Sequence, residues 1–71
     1  MQRVPVDSSS LASAGYDVET QVLEIEFRDG SLYQYFDVPE HVYHSLVEAD
    51  SKGRYFHAHI RNRYRYRKVA R

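Results

Sequence analysis

Two short segments in which apolar and polar residues alternate constrain the fold of this chain more than any other feature. Residues 21–27 place three apolar side chains on one face and two glutamates on the other, and residues 31–36 alternate again. A period of two is typical of a strand with one buried face. Because Arg28-Asp29-Gly30 lies between the segments and is a turn sequence, we predict a β-hairpin.

The length of the hairpin loop decides which face the tyrosines occupy. In a two-residue turn at Asp29-Gly30, Phe27 would pair with Leu32, and Tyr33 and Tyr35 would stand on the outer face beside the glutamates. The tyrosines would then be exposed to solvent.

A three-residue loop with the glycine as a left-handed bulge gives the other register. Ile25 then pairs with Tyr33 and Leu23 with Tyr35, so both tyrosines join the core. We favour this register because it collects the large side chains on one face and leaves the glutamates in water. It places two apolar side chains on the outer face, namely Leu32 and Phe36.

The remaining patterns predict an α+β fold. Apolar residues at helical spacing indicate helices at about 39–49 and 51–61, the first opened by a proline and the second capped by a serine. A weak strand is expected at 11–16 and a final strand at 63–67, where tyrosine and arginine alternate. We therefore predict a small antiparallel β-sheet with two helices packed on one face, in the order β-β-β-α-α-β.

The size of the chain permits one domain, residues 1–71, with residues 1–9 partly flexible. A chain of this length buries only about 60% of its unfolded surface, and it has no cysteine to supplement its core with a disulfide. Seven tyrosines and three phenylalanines supply apolar area instead. The sequence shows neither a signal peptide nor a membrane-spanning segment, so we expect a cytoplasmic protein without membrane contact.

Several spaced motifs carry a family resemblance from about residue 4 to 69. They are Val6-Asp7-Ser8-Ser9, Gly15-Tyr16-Asp17, Leu23 to Phe27, Gly30, Tyr33-Gln34-Tyr35, Val38-Pro39, Ser51 to Phe56 and Ile60-Arg61. In this order the chain resembles the KTSC domain, whose hallmark is a central Tyr-x-Tyr, matched here by Tyr33 and Tyr35. The resemblance implies a small α+β domain that occurs as a C-terminal tail on lysyl-tRNA synthetases and as a free-standing protein. It implies RNA binding only by analogy with the synthetases, and it brings no catalytic residues.

Charge is divided sharply along the chain. All ten acidic side chains lie in residues 1–50 with two of the ten basic ones, and the other eight basic side chains lie in residues 51–71. The first part therefore has a formal charge of −8 and the last part +8, although the total is zero. Such a split indicates either pairing within the fold or an external partner.

The basic end interleaves arginine with aromatic rings, as surfaces that bind phosphates and stack bases do. We predict a non-enzymatic module that binds RNA or another polyanion through six basic residues: Arg54, Arg61, Arg63, Arg65, Arg67 and Lys68. A competing interpretation is that Arg63, Arg65 and Arg67 form cross-strand ion pairs with acids such as Glu24 and Glu26. The alternative function is protein–protein interaction or self-association between the acidic and basic parts.

The four histidines and the serine run give weak signals. His41 and His44 share a helix face and His57 and His59 lie close together, but neither pair has a carboxylate in a recognised ligand pattern. Ser8 to Ser10 have no identifiable base. We therefore predict no catalytic residue, metal site or cofactor.

Overall fold

One antiparallel sheet organises the chain. The computed structural model describes residues 3–70. Its elements in chain order are β1 (Arg3–Pro5), β2 (Leu11–Asp17), β3 (Val22–Phe27), β4 (Leu32–Tyr35), α1 (Glu40–Glu48), α2 (Lys52–His59) and β5 (Tyr66–Ala70). The strands lie in the order β1-β2-β3-β4-β5, so every strand neighbours the strands next to it in sequence. The α+β class is confirmed, with one strand more than predicted.

The additional strand, β1, forms an edge of the sheet. Arg3 pairs with Gly15 and Pro5 with Ser13, and all three residues of β1 are exposed. Three exposed residues ending in proline give no alternating signal, which explains why the sequence did not indicate the strand. Met1 and Gln2, also in the segment predicted to be partly flexible, lie outside the described residues.

The β3–β4 hairpin has the three-residue loop that we favoured. Gly30 has a φ of 91°, and its N–H donates to the Phe27 carbonyl at 3.0 Å, while the Phe27 N–H donates to the Ser31 carbonyl at 2.9 Å. The Asp29 carboxylate accepts from the Ser31 N–H at 3.0 Å and from its hydroxyl at 2.6 Å. The glycine supplies the left-handed backbone and the aspartate fixes the turn.

This register sorts the side chains between the two faces of the sheet. Leu23 pairs with Tyr35 and Ile25 with Tyr33, and these side chains point to the inner face, where Leu23, Ile25 and Tyr35 are buried. The outer face carries Glu24, which accepts hydrogen bonds from Arg3 at 2.8 Å and from the Gln34 amide at 3.2 Å. Leu32 and Phe36, expected outside, are half-buried.

Both helices cover the inner face. Helix α1 buries Val42 and Leu46 and follows Pro39, which occupies the N-cap position. The Tyr43 ring stacks on Tyr16 of β2 at 5.4 Å between ring centres, and the Tyr16 hydroxyl donates to the Val38 carbonyl. These contacts join the first helix to the middle of the sheet.

Helix α2 begins at its predicted cap and ends earlier than predicted. The Ser51 side chain accepts from the Arg54 N–H at 3.3 Å, the usual role of a capping serine. Phe56 and Ile60 are buried. The helix ends at His59, and Asn62 takes the left-handed conformation with a φ of 66°, which is common just after a helix.

The predicted position of the last strand was wrong by three residues. Instead of 63–67, β5 covers Tyr66–Ala70 and begins opposite Tyr35. Arg63 and Arg65 lie in the connection, where the Arg63 N–H donates to the Ile60 carbonyl and the Arg65 carbonyl accepts from Phe36 N–H. The chain needs these residues to turn from the end of α2 back to the sheet, a requirement that the Tyr-Arg alternation does not reveal.

None of the helices in the described residues is long and apolar enough to cross a membrane.

The hairpin register predicts a specific effect of substitutions at Gly30. A Cβ added there would meet nothing within 4 Å, so the cost of Gly30→Ala is backbone strain without a steric clash. We expect a loss of about 1 to 2 kcal/mol in the free energy of unfolding. Gly30→Asn should lose less, because asparagine tolerates positive φ better. Urea denaturation measures both, and an alanine variant as stable as the parent contradicts the assigned loop.

Candidate functional site

A pocket lined with aromatic rings opens between the β4–β5 edge of the inner face and helix α2. Its volume is about 310 Å³, at the lower end of the range of about 300 to 1,000 Å³ found for small-ligand sites. We call it the aromatic pocket. It is lined by Phe27, Ser31, Tyr33, Tyr35, Phe56, His57, Arg61, Asn62 and Tyr66.

The hairpin register and the start of β5 place the tyrosines of this pocket. Tyr33 and Tyr35 are on the inner face of β4, and Tyr66 pairs with Tyr35 across the β4–β5 ladder. The Tyr66 ring centre lies 5.8 Å from that of Tyr33 and 5.7 Å from that of Tyr35. These separations are typical of packed aromatic pairs. The three rings form one wall of the pocket.

Helix α2 contributes the opposite wall. Phe56 packs edge-on against Tyr35 at 5.5 Å and against Phe27 at 5.4 Å. Exposure rises from the floor of the pocket to its rim: Tyr35 is 4% exposed, whereas Tyr66 is 57% exposed. The Tyr66 ring packs against Tyr33 and Tyr35, but β5 is an edge strand and more than half of the Tyr66 surface meets solvent.

The polar groups of the pocket come from the end of α2 and the turn after it. An Arg61 Nη1 atom lies 3.3 Å from Nδ1 of His57, and both residues are exposed. Burial is the main cause that raises the pKa of Tyr35 to about 12. The neighbouring Tyr33 and Tyr66 also raise it, and the positive charge of Arg61 opposes the shift. The Tyr35 hydroxyl therefore stays protonated at neutral pH and can donate a hydrogen bond.

A second, more open hollow adjoins the aromatic pocket. We call it the arginine hollow; it is lined by Phe36, Asn62, Arg63, Tyr64, Arg65 and Tyr66. Asn62 and Tyr66 belong to both sites. The Arg65 guanidinium carbon lies 5.6 Å from the centre of the Phe36 ring, within the range of a cation–π contact. The two hollows form a continuous strip of rings and guanidinium groups.

The structure brings only some of the six predicted basic residues together. Arg61, Arg63 and Arg65 line the two hollows, and Lys68 pairs with Tyr33 at the edge of the aromatic pocket. Arg67 pairs with Gln34, which puts it on the outer face of the sheet.

Arg54 is exposed on the first turn of α2 and lines a third hollow, beside the serine run and Asp50, which shares His57 with the aromatic pocket. Because Arg67 lies on the outer face of the sheet, the basic end does not form one continuous face from Arg54 to Arg67.

The proposed cross-strand pairing of Arg63, Arg65 and Arg67 with Glu24 and Glu26 is absent from the described residues. There the ion pairs are Arg3–Glu24 at 2.8 Å, His44–Glu40 at 3.2 Å and Arg65–Asp37 at 3.3 Å. Glu26 accepts instead from the Ser13 hydroxyl at 3.0 Å. The cause is topological, because the edge strand β1 brings Arg3 to Glu24 while β5 begins beyond Arg63 and Arg65.

The histidine and serine side chains considered in the sequence analysis lie on the surface or make local hydrogen bonds. His41 and His44 lie on the exposed face of α1, and the Ser8 hydroxyl accepts from the N–H groups of Ser10 and Leu11. Within residues 3–70, no group of three or more histidine, aspartate or glutamate side chains is arranged to hold a metal ion.

Sequence reasoning missed six lining residues of the aromatic pocket: Phe27, Ser31, Phe56, His57, Asn62 and Tyr66. The favoured register could have predicted one of these contacts, because it places Tyr35 on the face that helix α2 covers with Phe56. The pocket itself depends on the path of the 60–65 connection, for which the sequence gives no pattern.

Comparison with known proteins identifies a family. The KTSC domain family matches residues 7–64. The crystal structure of a KTSC domain protein from Yersinia pestis is similar to this chain with a TM-score of 0.94 and 43% identity, over 97% of both chains.

The relatives include both a protein of about the same length and much longer proteins. An uncharacterized protein of Stutzerimonas stutzeri is 50% identical over 70 residues, which cover 97% of this chain and 99% of that protein. A lysine–tRNA ligase of Nostoc sp. is 39% identical over 64 residues, which cover 90% of this chain and 11% of the ligase. The chain thus spans nearly all of the first relative and a small part of the second.

The raised pKa of Tyr35 predicts a loss of stability in alkali. A tyrosine in the unfolded chain ionises near pH 10, whereas Tyr35 in the fold keeps its proton up to about pH 12. Above pH 10 the unfolded chain therefore binds fewer protons than the folded one, and the free energy of unfolding falls as the pH rises towards 12. Tyr35→Phe should make this fall shallower in urea denaturation across that range. An equally steep fall in the variant contradicts the assignment.

Proposed function

The chain belongs to the KTSC domain family, and we propose that it is a small non-enzymatic module that binds single-stranded RNA. The binding surface is the strip formed by the aromatic pocket and the arginine hollow. In this proposal the protein acts in the cytoplasm, where RNA and lysine–tRNA ligases are found together.

The observation that carries the proposal is the placement of arginines without carboxylate partners beside the exposed ring of Tyr66 and the half-buried rings around it. Within the described residues, Arg61 and Arg63 have no carboxylate within ion-pair distance, and both lie in hollows that share Tyr66. Domains that bind single strands combine cationic side chains along the backbone path with rings on which bases stack. This strip has both components.

The single ion pair at the strip does not oppose phosphate binding. Arg65 and Asp37 are 78% and 76% exposed in their side chains and lie 3.3 Å apart. Exposed pairs of this kind contribute about 0 to 1 kcal/mol, so a phosphate can replace the carboxylate at little cost. Arg65 therefore remains available to a polyanion.

The family relatives add support of a different kind. Lysine–tRNA ligases from Nostoc sp. and two other organisms contain a segment similar to this chain. The ligases act on an RNA, as their name states, and a small module attached to them is well placed to contact it. Association with a ligase is an analogy, so the argument depends on the surface.

The groups lining the aromatic pocket favour binding over covalent chemistry. They include three tyrosines, one histidine and one arginine. The Ser31 hydroxyl donates to the Asp29 carboxylate at 2.6 Å, but this serine is only 5% exposed and the same carboxylate accepts from its N–H, so the pair stabilises the hairpin turn. Covalent catalysis usually requires an accessible nucleophile beside a base. The pocket instead offers rings and hydrogen-bond donors.

Self-association through opposite charges is the alternative proposal. Within residues 3–70 the ion pairs connect the basic end to the acidic part through Arg65 and Asp37, so they neutralise little of the split between −8 and +8. A second copy could supply the missing partners. Mass measured across protein concentration and salt concentration distinguishes this from a monomer that binds RNA.

Charge removal at the strip tests RNA binding. The probe is a single-stranded RNA of about 16 nucleotides, the upper end of the site sizes of small single-strand-binding domains. We expect binding at low salt, and Arg63→Gln should lower the affinity and reduce the salt dependence by about 0.7 in the slope of log K against log salt. Arg3→Gln is the matched control, because it removes the same charge at the opposite edge of the sheet.

Two results would contradict the proposal. One is an RNA that fails to bind the parent protein at low salt. The other is an equal loss of affinity in the Arg63→Gln and Arg3→Gln variants, which would show general charge attraction without a site. Thermal unfolding of both variants checks that each retains its fold.

A further inference from the structure

The aromatic pocket is a cleft in the protein surface whose floor is formed by buried rings. Its volume of about 310 Å³ lies beside Tyr35 and Phe56, both of which are buried. Such a space, walled by rings and open to solvent at one side, fits a flat apolar group of a ligand.

The rim of the pocket offers a ring for stacking. Tyr66 is 57% exposed, yet its ring is supported by Tyr33 and Tyr35 at 5.8 and 5.7 Å. A ring held in place by its neighbours loses little conformational freedom when a second ring stacks on it, and every nucleobase presents a π-face for such stacking. The supported Tyr66 ring is therefore a suitable platform.

The polar groups around the pocket match a nucleotide. The Tyr35 hydroxyl, the Asn62 amide and the His57 ring can hydrogen-bond the edge of a base. Arg61 lies beside His57 at 3.3 Å and is exposed at the same rim. A guanidinium group at this position can bind a phosphate through two N–H donors.

We propose that the aromatic pocket receives one unstacked nucleobase, stacked on Tyr66, while Arg61 binds the adjoining phosphate. The inference rests on the proposed function, because it identifies what the pocket takes from a bound strand. It gives the family motif a role: Tyr33 and Tyr35 support the stacking ring and form the pocket wall. The arginine hollow then follows the backbone of the neighbouring nucleotides.

The test compares polymers that differ only in their bases. One probe is an RNA oligoadenylate of about 16 nucleotides, and the other is an oligomer of equal length whose abasic units keep the phosphate and the 2′-hydroxyl and carry hydrogen in place of the base. We expect the oligoadenylate to bind on the order of tenfold more tightly, which is the effect of one stacked base. Equal affinities would overturn the pocket inference and leave the proposed function standing.

Substitutions at Tyr66 locate the base. Tyr66→Leu keeps an apolar side chain in β5 but removes the ring, so the difference between the two probes should disappear. Tyr66→Phe is the matched control and should retain it. An unchanged difference in Tyr66→Leu contradicts the inference. Because Tyr66 lies on an edge strand and is exposed, the fold should tolerate both changes, and thermal unfolding verifies this.

A mononucleotide separates failure of the inference from failure of the proposed function. The NMR signals of the Tyr66 ring report on the pocket directly, and tyrosine fluorescence reports on all seven tyrosines, three of which line the pocket. We expect adenosine 5′-monophosphate to change both signals, and ribose 5-phosphate to leave them unchanged at the same concentration. If neither polymer binds but the mononucleotide does, the proposed function fails and the pocket inference stands. If both small molecules leave the Tyr66 signals unchanged, the pocket inference fails.

Discussion

The rest of the structure depends on the left-handed conformation of Gly30 in the β3–β4 hairpin. This residue adds one position to the loop, and because side chains alternate along a strand, one position decides which face every residue of β4 occupies. Tyr33 and Tyr35 are thereby placed on the inner face. Tyr35 then contacts Phe56 of the second helix and Tyr66 of the last strand. The buried core and the tyrosine wall of the aromatic pocket therefore both depend on the register of this hairpin.

Among the described residues, few ion pairs join the basic side chains to the acidic ones. The edge strand β1 brings Arg3 to Glu24, and Arg65 reaches Asp37 from the connection before β5. Arg61 and Arg63 face hollows lined with rings, without a carboxylate partner among the described residues. Such arginines attract anions, and the exposed Tyr66 ring beside them favours a partner with flat apolar groups.

Much of the fold follows from local patterns. Alternation predicted the hairpin, helical spacing predicted both helices, and the serine before α2 was recognised as a cap. The Tyr-Arg alternation failed to locate β5, because it covers 63–67, whereas the observed strand, Tyr66–Ala70, continues through residues that do not alternate. The site was predicted less well. The arginines were recognised by charge and the tyrosines by family motif, whereas Phe56, Asn62 and Tyr66 meet only through contacts distant in sequence.

The sequence by itself determined the α+β class, the hairpin and its two tyrosines, and the division between an acidic and a basic part. Those features depend on residue order over a few neighbours, where periodicity and turn chemistry act. The tertiary structure decided that Arg3, rather than the C-terminal arginines, neutralises Glu24, and that Arg61, Arg63 and Tyr66 gather around a pocket while Arg67 lies on the other face. The physical reason is that these outcomes depend on where the connection after α2 joins the sheet, and that point is fixed by packing across the whole domain.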